Sequence, residues 1–202
     1  MRAICFIIGY FFGSFLTANA VTRAKLGKPA SEVGSRNPGM ANVGALLGPK
    51  YAALTLAGDL VKVIISVIIC DFAFPHMGAL AAAWCGTGCV VGHDFPLWHR
   101  LRGGKGVACT CAAIILTNPL WGIISSLAGL ATTVASKQLS VGAVCITAVF
   151  TLFIALFGSP RLELSLLAAA LTVLMVGKNL PTLKRIVRGQ EPAHDILKKL
   201  KH

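Results

Sequence analysis

Apolar runs, each close to the length needed to cross a bilayer, recur from one end of this 202-residue chain to the other. They lie at about 3–22, 51–70, 76–92, 106–117, 119–135, 139–158 and 162–177, with Pro, Gly or charge between most of them. A helix crosses a hydrocarbon layer of about 30 Å with roughly 20 apolar residues, so repeated runs of this length make the bilayer the solvent. Composition agrees: 55% of residues are hydrophobic and 13% charged, against about a quarter charged in an ordinary soluble domain. The expected fold is all-α, a polytopic membrane protein with seven transmembrane helices forming one domain over 1–202. The first run resembles a signal peptide ending at Ala18-Asn19-Ala20, but Arg23, Lys25 and Lys28 follow it where only Arg2 precedes it. That bias holds its downstream side in the cytoplasm and favours an uncleaved span.

Charge decides the number of crossings. The stretch 106–135 is uncharged and interrupted by Asn118-Pro119, and a proline alone does not separate two spans, because membrane helices tolerate kinks. With seven spans and the N-terminus outside, one side collects 16 Lys and Arg and the other only Arg2 and Arg161. With 106–135 as one span, the two sides carry 9 each. The excess of basic residues on cytoplasmic loops therefore selects seven. Blocks 76–92 and 106–117 are short for the bilayer, so helix is expected to extend into their flanks, or the membrane to thin.

The net charge of +12 does not indicate nucleic acid, because the basic residues sit in short clusters beside apolar runs without aromatic interleaving. Cys5, Cys70, Cys85, Cys89, Cys109, Cys111 and Cys145 mostly lie among Ala, Val and Ile and read as small apolar fillers. No nearby His or carboxylate completes a metal set in sequence, and neither a metal nor a cofactor is expected.

The unusual polar sequence falls on the cytoplasmic side. The first loop, Gly34-Ser35-Arg36-Asn37-Pro38-Gly39-Met40-Ala41-Asn42-Val43-Gly44, combines glycines that permit close backbone approach with the donors Ser35, Asn37 and Asn42. It suits either an anion cradle or a turn-rich connector. The second loop begins Gly92-His93-Asp94-Phe95-Pro96 and ends Gly103-Gly104-Lys105-Gly106 at the start of an apolar helix. A glycine-rich turn bearing Lys at a helix N-terminus brings amides, a positive dipole end and a point charge to one place, which suits phosphate. The spacing is not that of a Walker A motif. His93 and Asp94 fit a local structural role or catalysis equally, and Trp98 and His99 fit an interfacial anchor. Asp59 and Lys62 share a helix face within the second span, where an ion pair near the cytoplasmic end is the simpler reading beside direct catalysis. The basic tail from Lys178 to His202 reads as an interfacial helix or a solvated tail.

Together these loops resemble the bacterial acyl-phosphate:glycerol-3-phosphate acyltransferase family. Gly34 to Val43 is similar to the family's Gly-Ser-Gly-Asn-x-Gly-Ala-Thr-Asn-Val. Gly92 to Pro96 followed by Gly103-Gly104-Lys105-Gly106-Val107-Ala108 is similar to its second motif, and Lys184-Arg185-Ile186 to Gly189-Gln190-Glu191-Pro192 to its third. The resemblance implies transfer of a fatty acyl group from acyl phosphate to the 1-hydroxyl of glycerol 3-phosphate, giving lysophosphatidate and phosphate. It implies a multi-pass enzyme of the bacterial plasma membrane with its active site facing the cytoplasm, and no nucleic-acid or obligate protein partner. By matching position it assigns Ser35 and Lys105 to catalysis. It assigns Gly34, Asn37, Gly39, Asn42, His93, Gly103, Gly104, Gly106, Ser140, Asn179 and Thr182 to substrate binding. The family has Arg at the position of Ala45, His and Asn at those of Asn179 and Thr182, and Gly at that of Arg36. Lys178 or Arg36 is expected to supply the missing charge. The alternatives are a relative with a changed acceptor or lost activity and, more distantly, a small transporter, which would carry polar residues at mid-membrane in several spans.

Overall fold

The computed structural model of the protein describes residues 1–158 and 160–193. Among them the regular structure is helical, with no strand, in nine α-helices and two short 3-10 turns. The end of the basic tail, 194–202, lies outside the described residues. Among the described residues five stretches are long and apolar enough to cross a bilayer: Arg2–Leu26, Pro49–Ala73, Pro119–Ser136, Leu139–Phe157 and Leu162–Val187. The chain is therefore a multi-pass membrane protein, organised as two compact units that meet in sequence at Thr117 and Asn118.

In the first unit, α1 (Arg2–Gly13), α4 (Pro49–Ala73), α5 (Ala79–Asp94) and α6 (Val107–Thr117) pack together, with α2 (Thr17–Leu26) and α3 (Met40–Leu47) beside the start of α4. Glycines set the tightest contact. A Cβ on Gly9 or Gly13 would overlap the carbonyls of Cys85 or Cys89, and one on Gly88 or Gly92 would overlap those of Phe6 or Tyr10. Contacts advance together along both chains, so α1 and α5 run parallel. Two Gly-x3-Gly stripes face one another, the arrangement that lets membrane helices gain dispersion contacts where no hydrophobic effect separates them from lipid. On the other side of α5, Gly86 accepts the methyl of Ala113 from α6. Five of the cysteines are buried and two half-buried, all as free thiols.

The first apolar run is not one continuous helix. It breaks at Ser14 to Leu16, where Leu16 is extended at φ −97°, ψ 100°. Of the two short blocks, the first gains helix in its polar flank, at His93 and Asp94, and the second gains none. The α5 helix ends at Asp94 after 16 residues and α6 starts only at Val107 and has 11, about 24 and 16 Å at 1.5 Å per residue. The last helix, in contrast, continues through Pro181 to Val187, past the end of its apolar run.

The second unit is an up-and-down arrangement of α7 (Pro119–Ser136), α8 (Leu139–Phe157) and α9 (Arg161–Val187). Asn118 starts it as an extended N-cap whose side chain accepts the Trp121 amide at 3.2 Å, with Pro119 at N1, where a missing N–H costs nothing. Gly129 and Gly142 let α7 and α8 approach backbone to backbone. Trp121 stacks on Phe153 and Phe157 at one end, and a Thr151–Thr172 hydrogen bond of 2.9 Å sets the register of α8 against α9.

Candidate active site

The first loop is built around one side chain. Asn42 is 4% exposed. Its Oδ1 accepts the Ser35 amide at 2.9 Å, and its Nδ2 donates to the carbonyls of Ala30 and Val33 at 3.0 Å each. Both of its donors are thus spent on the fold of residues 30–35. Gly34, at φ +59°, passes so close that a Cβ would strike Asn42 Oδ1. The loop rests on a small core of Ala18, Val21, Ala30 and Val43 with Leu47 and Tyr51. Ser35 and Arg36 stand exposed, Asn37 and Gly39 half-buried, and Gly39 caps α3. Arg36 adopts φ +58°, which explains why glycine suits that position. Ala45 lies on the exposed face of α3.

The second loop folds back on the end of α5. The Gly103 amide donates to the Asp94 carbonyl at 3.2 Å and the Gly104 amide to the His93 carbonyl at 3.0 Å. The amides of these two glycines therefore face the protein, contrary to a cradle in which they point at a ligand. The ladder of α6 opens with Thr110 N–H donating to the Gly106 carbonyl at 2.8 Å, so the Val107 and Ala108 amides stand ahead of it at the positive end of the helix dipole. Lys105 is half-buried beside them. Gly106 is required twice over, by φ +66° and by Asp94 Oδ1, which lies 2.7 Å from where a Cβ would be. Gly104 is the meeting point of the two loops: its Cβ position touches His93 Nε2 and lies 3.1 Å from the Pro38 carbonyl. Farther out, Trp98 stacks on Phe11 and donates to the Ser14 carbonyl at 2.9 Å. His99, half-buried nearby, is held below the ordinary histidine value by burial and then by the Arg23 charge.

Beneath this junction lies Lys62, 5% exposed. Its ammonium donates to Asp59 Oδ1 at 2.9 Å, His93 Nδ1 at 2.8 Å, the Phe15 carbonyl at 2.9 Å and the Gly13 carbonyl at 3.2 Å. Thr17 adds a 3.3 Å hydrogen bond to the same Asp59 oxygen. The break in the first run now has a physical account: the carbonyls of Gly13, Ser14 and Phe15, released from helical bonding, are taken by Lys62 and Trp98, as non-helical backbone at membrane depth requires. Asp59, His93 and Cys109 come within 4.8 Å of one another, although they are scattered in sequence, but the Lys62 ammonium already serves as their cation. Lys62 lies roughly 20 Å along the axis from Pro49 and roughly 16 Å from Ala73 at the helical rise. The polar centre is thus near the middle of α4 and recessed, rather than at its end.

In the second unit, the Thr151–Thr172 register brings Ser140, near the start of α8, level with the end of α9 that bears Asn179 and Thr182. All three are buried. Asn179 Nδ2 donates to the Met175 carbonyl at 2.9 Å, and Thr182 Oγ1 accepts from Arg185 at 3.3 Å. Arg185 also pairs with Glu191 at 2.7 Å, and Gly189 turns at φ +69°. The third motif is thus the end-cap of α9.

Sequence reading missed the pairing of Lys62 with His93 and with the break, although its pairing with Asp59 was legible at i, i+3. The Gly-x3-Gly stripes of α1 and α5 were a signal that went unused.

Comparison with known proteins places this geometry. The family model described as glycerol-3-phosphate acyltransferase matches residues 3–189. A glycerol-3-phosphate acyltransferase 1 of Lactobacillus johnsonii is 41% identical over 138 residues, covering 68% of this chain and 66%, about two thirds, of that protein. A glycerol-3-phosphate acyltransferase of Thermoanaerobacter sp. is 30% identical over 185 residues, 92% of this chain and 91% of the relative. Among solved structures, PlsY (YgiH), an integral membrane glycerol 3-phosphate acyltransferase in its glycerol 3-phosphate form, superposes with a TM-score of 0.87 at 25% identity, over 100% of this chain and 99% of that one.

Proposed function

Given that this chain belongs to the glycerol-3-phosphate acyltransferase family, and so transfers an acyl group to glycerol 3-phosphate in phospholipid synthesis, we propose that its donor is a fatty acyl phosphate and its acceptor atom the 1-hydroxyl. The hydroxyl oxygen attacks the acyl carbonyl carbon, the bond from that carbon to the phosphate oxygen breaks, and the hydroxyl proton leaves on the released phosphate. Because phosphate is a good leaving group and can take the proton, the reaction asks the protein mainly to hold two anions in line. The observation that carries the reading is the meeting of the two glycine-rich loops at Gly104, with Lys105 and the N-terminus of α6 beside it.

In this reading Lys105 and the first amides of α6 stabilise the donor phosphate, Asn37 and Gly39 flank Pro38 at the same junction, and Ser35 acts in catalysis from the exposed side of the first loop. Gly103, Gly104, Gly106 and Asn42 shape the loops rather than donate to substrate. Substrate binding by Ser140, Asn179 and Thr182 belongs to the polar end of the second unit and is tested separately, by the glycerol 3-phosphate KM of each alanine variant. No cofactor, metal or protein partner is needed for the step as written. We place the chain in the bacterial plasma membrane as one domain with seven spans, N-terminus outside and site on the cytoplasmic side. Supporting this are the 16-to-2 distribution of basic residues, the parallel course of α1 and α5, and the helix break at Asn118.

The decisive assay supplies purified protein with palmitoyl phosphate or palmitoyl-CoA and radiolabelled glycerol 3-phosphate. Lysophosphatidate is expected from the phosphate donor, with kcat falling by about 10²–10³ in Lys105→Ala, the usual cost of one lost oxyanion donor. No product from folded wild-type protein, or product only from the thioester, would overturn the donor assignment. Reporter fusions at each end and after Gln138 read the topology.

A further inference from the structure

We propose that Lys62 is a positioning residue that fixes the tautomer of His93, so that this histidine meets the substrate anion as an Nε2–H donor and not as a base. The inference rests on the acyl-transfer reading above only for the identity of the anion. Its core is the geometry of one buried ammonium. Lys62 has three N–H bonds and four acceptors around it, of which His93 Nδ1, at 2.8 Å, is the shortest contact. An ammonium has no lone pair to offer, so the nitrogen facing it must be the acceptor. That leaves the ring proton of neutral His93 on Nε2.

The direction of that second nitrogen gives the arrangement its function. Nε2 faces Gly104 at the point where the Pro38 carbonyl of the first loop closes on the second loop. The His93 carbonyl meanwhile takes the Gly104 amide at 3.0 Å, and the ring is buried, at 3% exposure. His93 is therefore tied to its surroundings at both backbone and ring, and Lys62 is what orients the ring. The same ammonium holds the carbonyls of Gly13 and Phe15, so the break in the first span and the histidine are set by one charge. The charged and titratable groups facing it are Asp59 from α4, at 2.9 Å, His93 and Cys89 from α5, and Cys109 from α6, whose Sγ donates to the Asp59 carbonyl at 3.7 Å. Asp59 Oδ1 also lies 3.8 Å from His93 Nδ1, too far for a hydrogen bond, so the Lys62 contact at 2.8 Å decides which ring nitrogen carries the proton.

The test reads the tautomer directly, through nitrogen-15 spectra of histidine-labelled protein in lipid, with the His93 signals assigned by their loss in His93→Gln. Wild-type protein is expected to show the Nε2–H form, and so is Asp59→Asn, which keeps the Lys62–His93 contact. Lys62→Met is expected to give a mixture of tautomers and to lower kcat/KM on the order of 10²-fold, as a misplaced site group does. His93→Gln, which keeps an amide donor but no base, is expected to turn over at least about tenfold faster than His93→Ala, one good hydrogen bond's worth. An Nδ1–H histidine in the wild type, a spectrum unmoved in Lys62→Met, or equal turnover in His93→Gln and His93→Ala would overturn the proposal. These failures are separable from failure of the enzymatic reading, since the wild-type and Lys62→Met spectra need no substrate. Loss of all product with an intact Nε2–H signal would strike the choice of substrates and leave Lys62 its tautomer-setting part.

Discussion

Replacing Asn42 by alanine separates the two roles open to this residue, phosphate ligand and loop clamp. The substitution removes three hydrogen bonds: from the Ser35 amide to Oδ1, and from Nδ2 to the carbonyls of Ala30 and Val33. They are unequal. Ser35 is exposed and Val33 half-buried, so water can take over much of what they lose, whereas Ala30 is fully buried and its carbonyl is stranded. A net hydrogen bond contributes about 1 kcal/mol and a stranded buried acceptor costs about 1–3 kcal/mol, which puts the loss at roughly 2–4 kcal/mol. For a chain of this size that is on the order of 5–15 °C in Tm. The assay is thermal unfolding in detergent micelles, paired with limited proteolysis at the Lys25, Lys28 and Arg36 sites that flank and enter the loop, and with the acceptor KM. A clamp predicts a lower Tm and faster cleavage at these sites together with lost activity. Unchanged Tm and unchanged cleavage with only a raised glycerol 3-phosphate KM would refute the clamp and return Asn42 to the ligand set.

Further outcomes follow from single positions. Gly13→Val and Gly88→Val drive side chains into the backbone of the facing helix and should abolish folded protein on size-exclusion chromatography. Gly177→Ala, where a Cβ meets nothing within 4 Å, should raise stability by about 0.5–1 kcal/mol through helix propensity. Arg36→Gly releases a φ of +58° and should stabilise by about 1 kcal/mol; a simultaneous rise in acceptor KM would show that the arginine also supplies the anion charge. His99 is held below its ordinary value of 6.5 by burial and Arg23, so the unfolded chain binds its proton first. Its contribution is therefore intact above about pH 6.5 and is lost as pH falls from there through the lower folded value. His99→Gln should flatten that acid-side loss in pH-dependent melting, and an unchanged slope would contradict it.

Hydropathy and charge counting read out what depends on solvent. Every expected apolar block contains a helix, because an apolar run in lipid can satisfy its backbone only within itself. The glycine-rich loops, Lys105 at the start of a helix and the Asp59–Lys62 pair were legible for the same reason: each is local in sequence. The pattern misled where helix and apolarity part company. The last helix runs on to Val187 because backbone bonding does not require apolar side chains, and the first run, read as one span, breaks at Ser14 where its carbonyls find partners on other helices.

Only the tertiary structure decided what the polar atoms bond to. The partners of Lys62 lie as much as 49 residues away, and its burial at mid-helix makes sense only when α1, α4 and α5 are packed around it. Gly103 and Gly104, whose composition suggests amides turned to a ligand, spend them on the end of α5, and Asn42 spends its amide on its own loop. A sequence by itself determines which segments must leave water. Which buried donor meets which acceptor is settled by packing, since an unpaired polar group in hydrocarbon costs several kcal/mol and its partner can come from any helix close enough to reach.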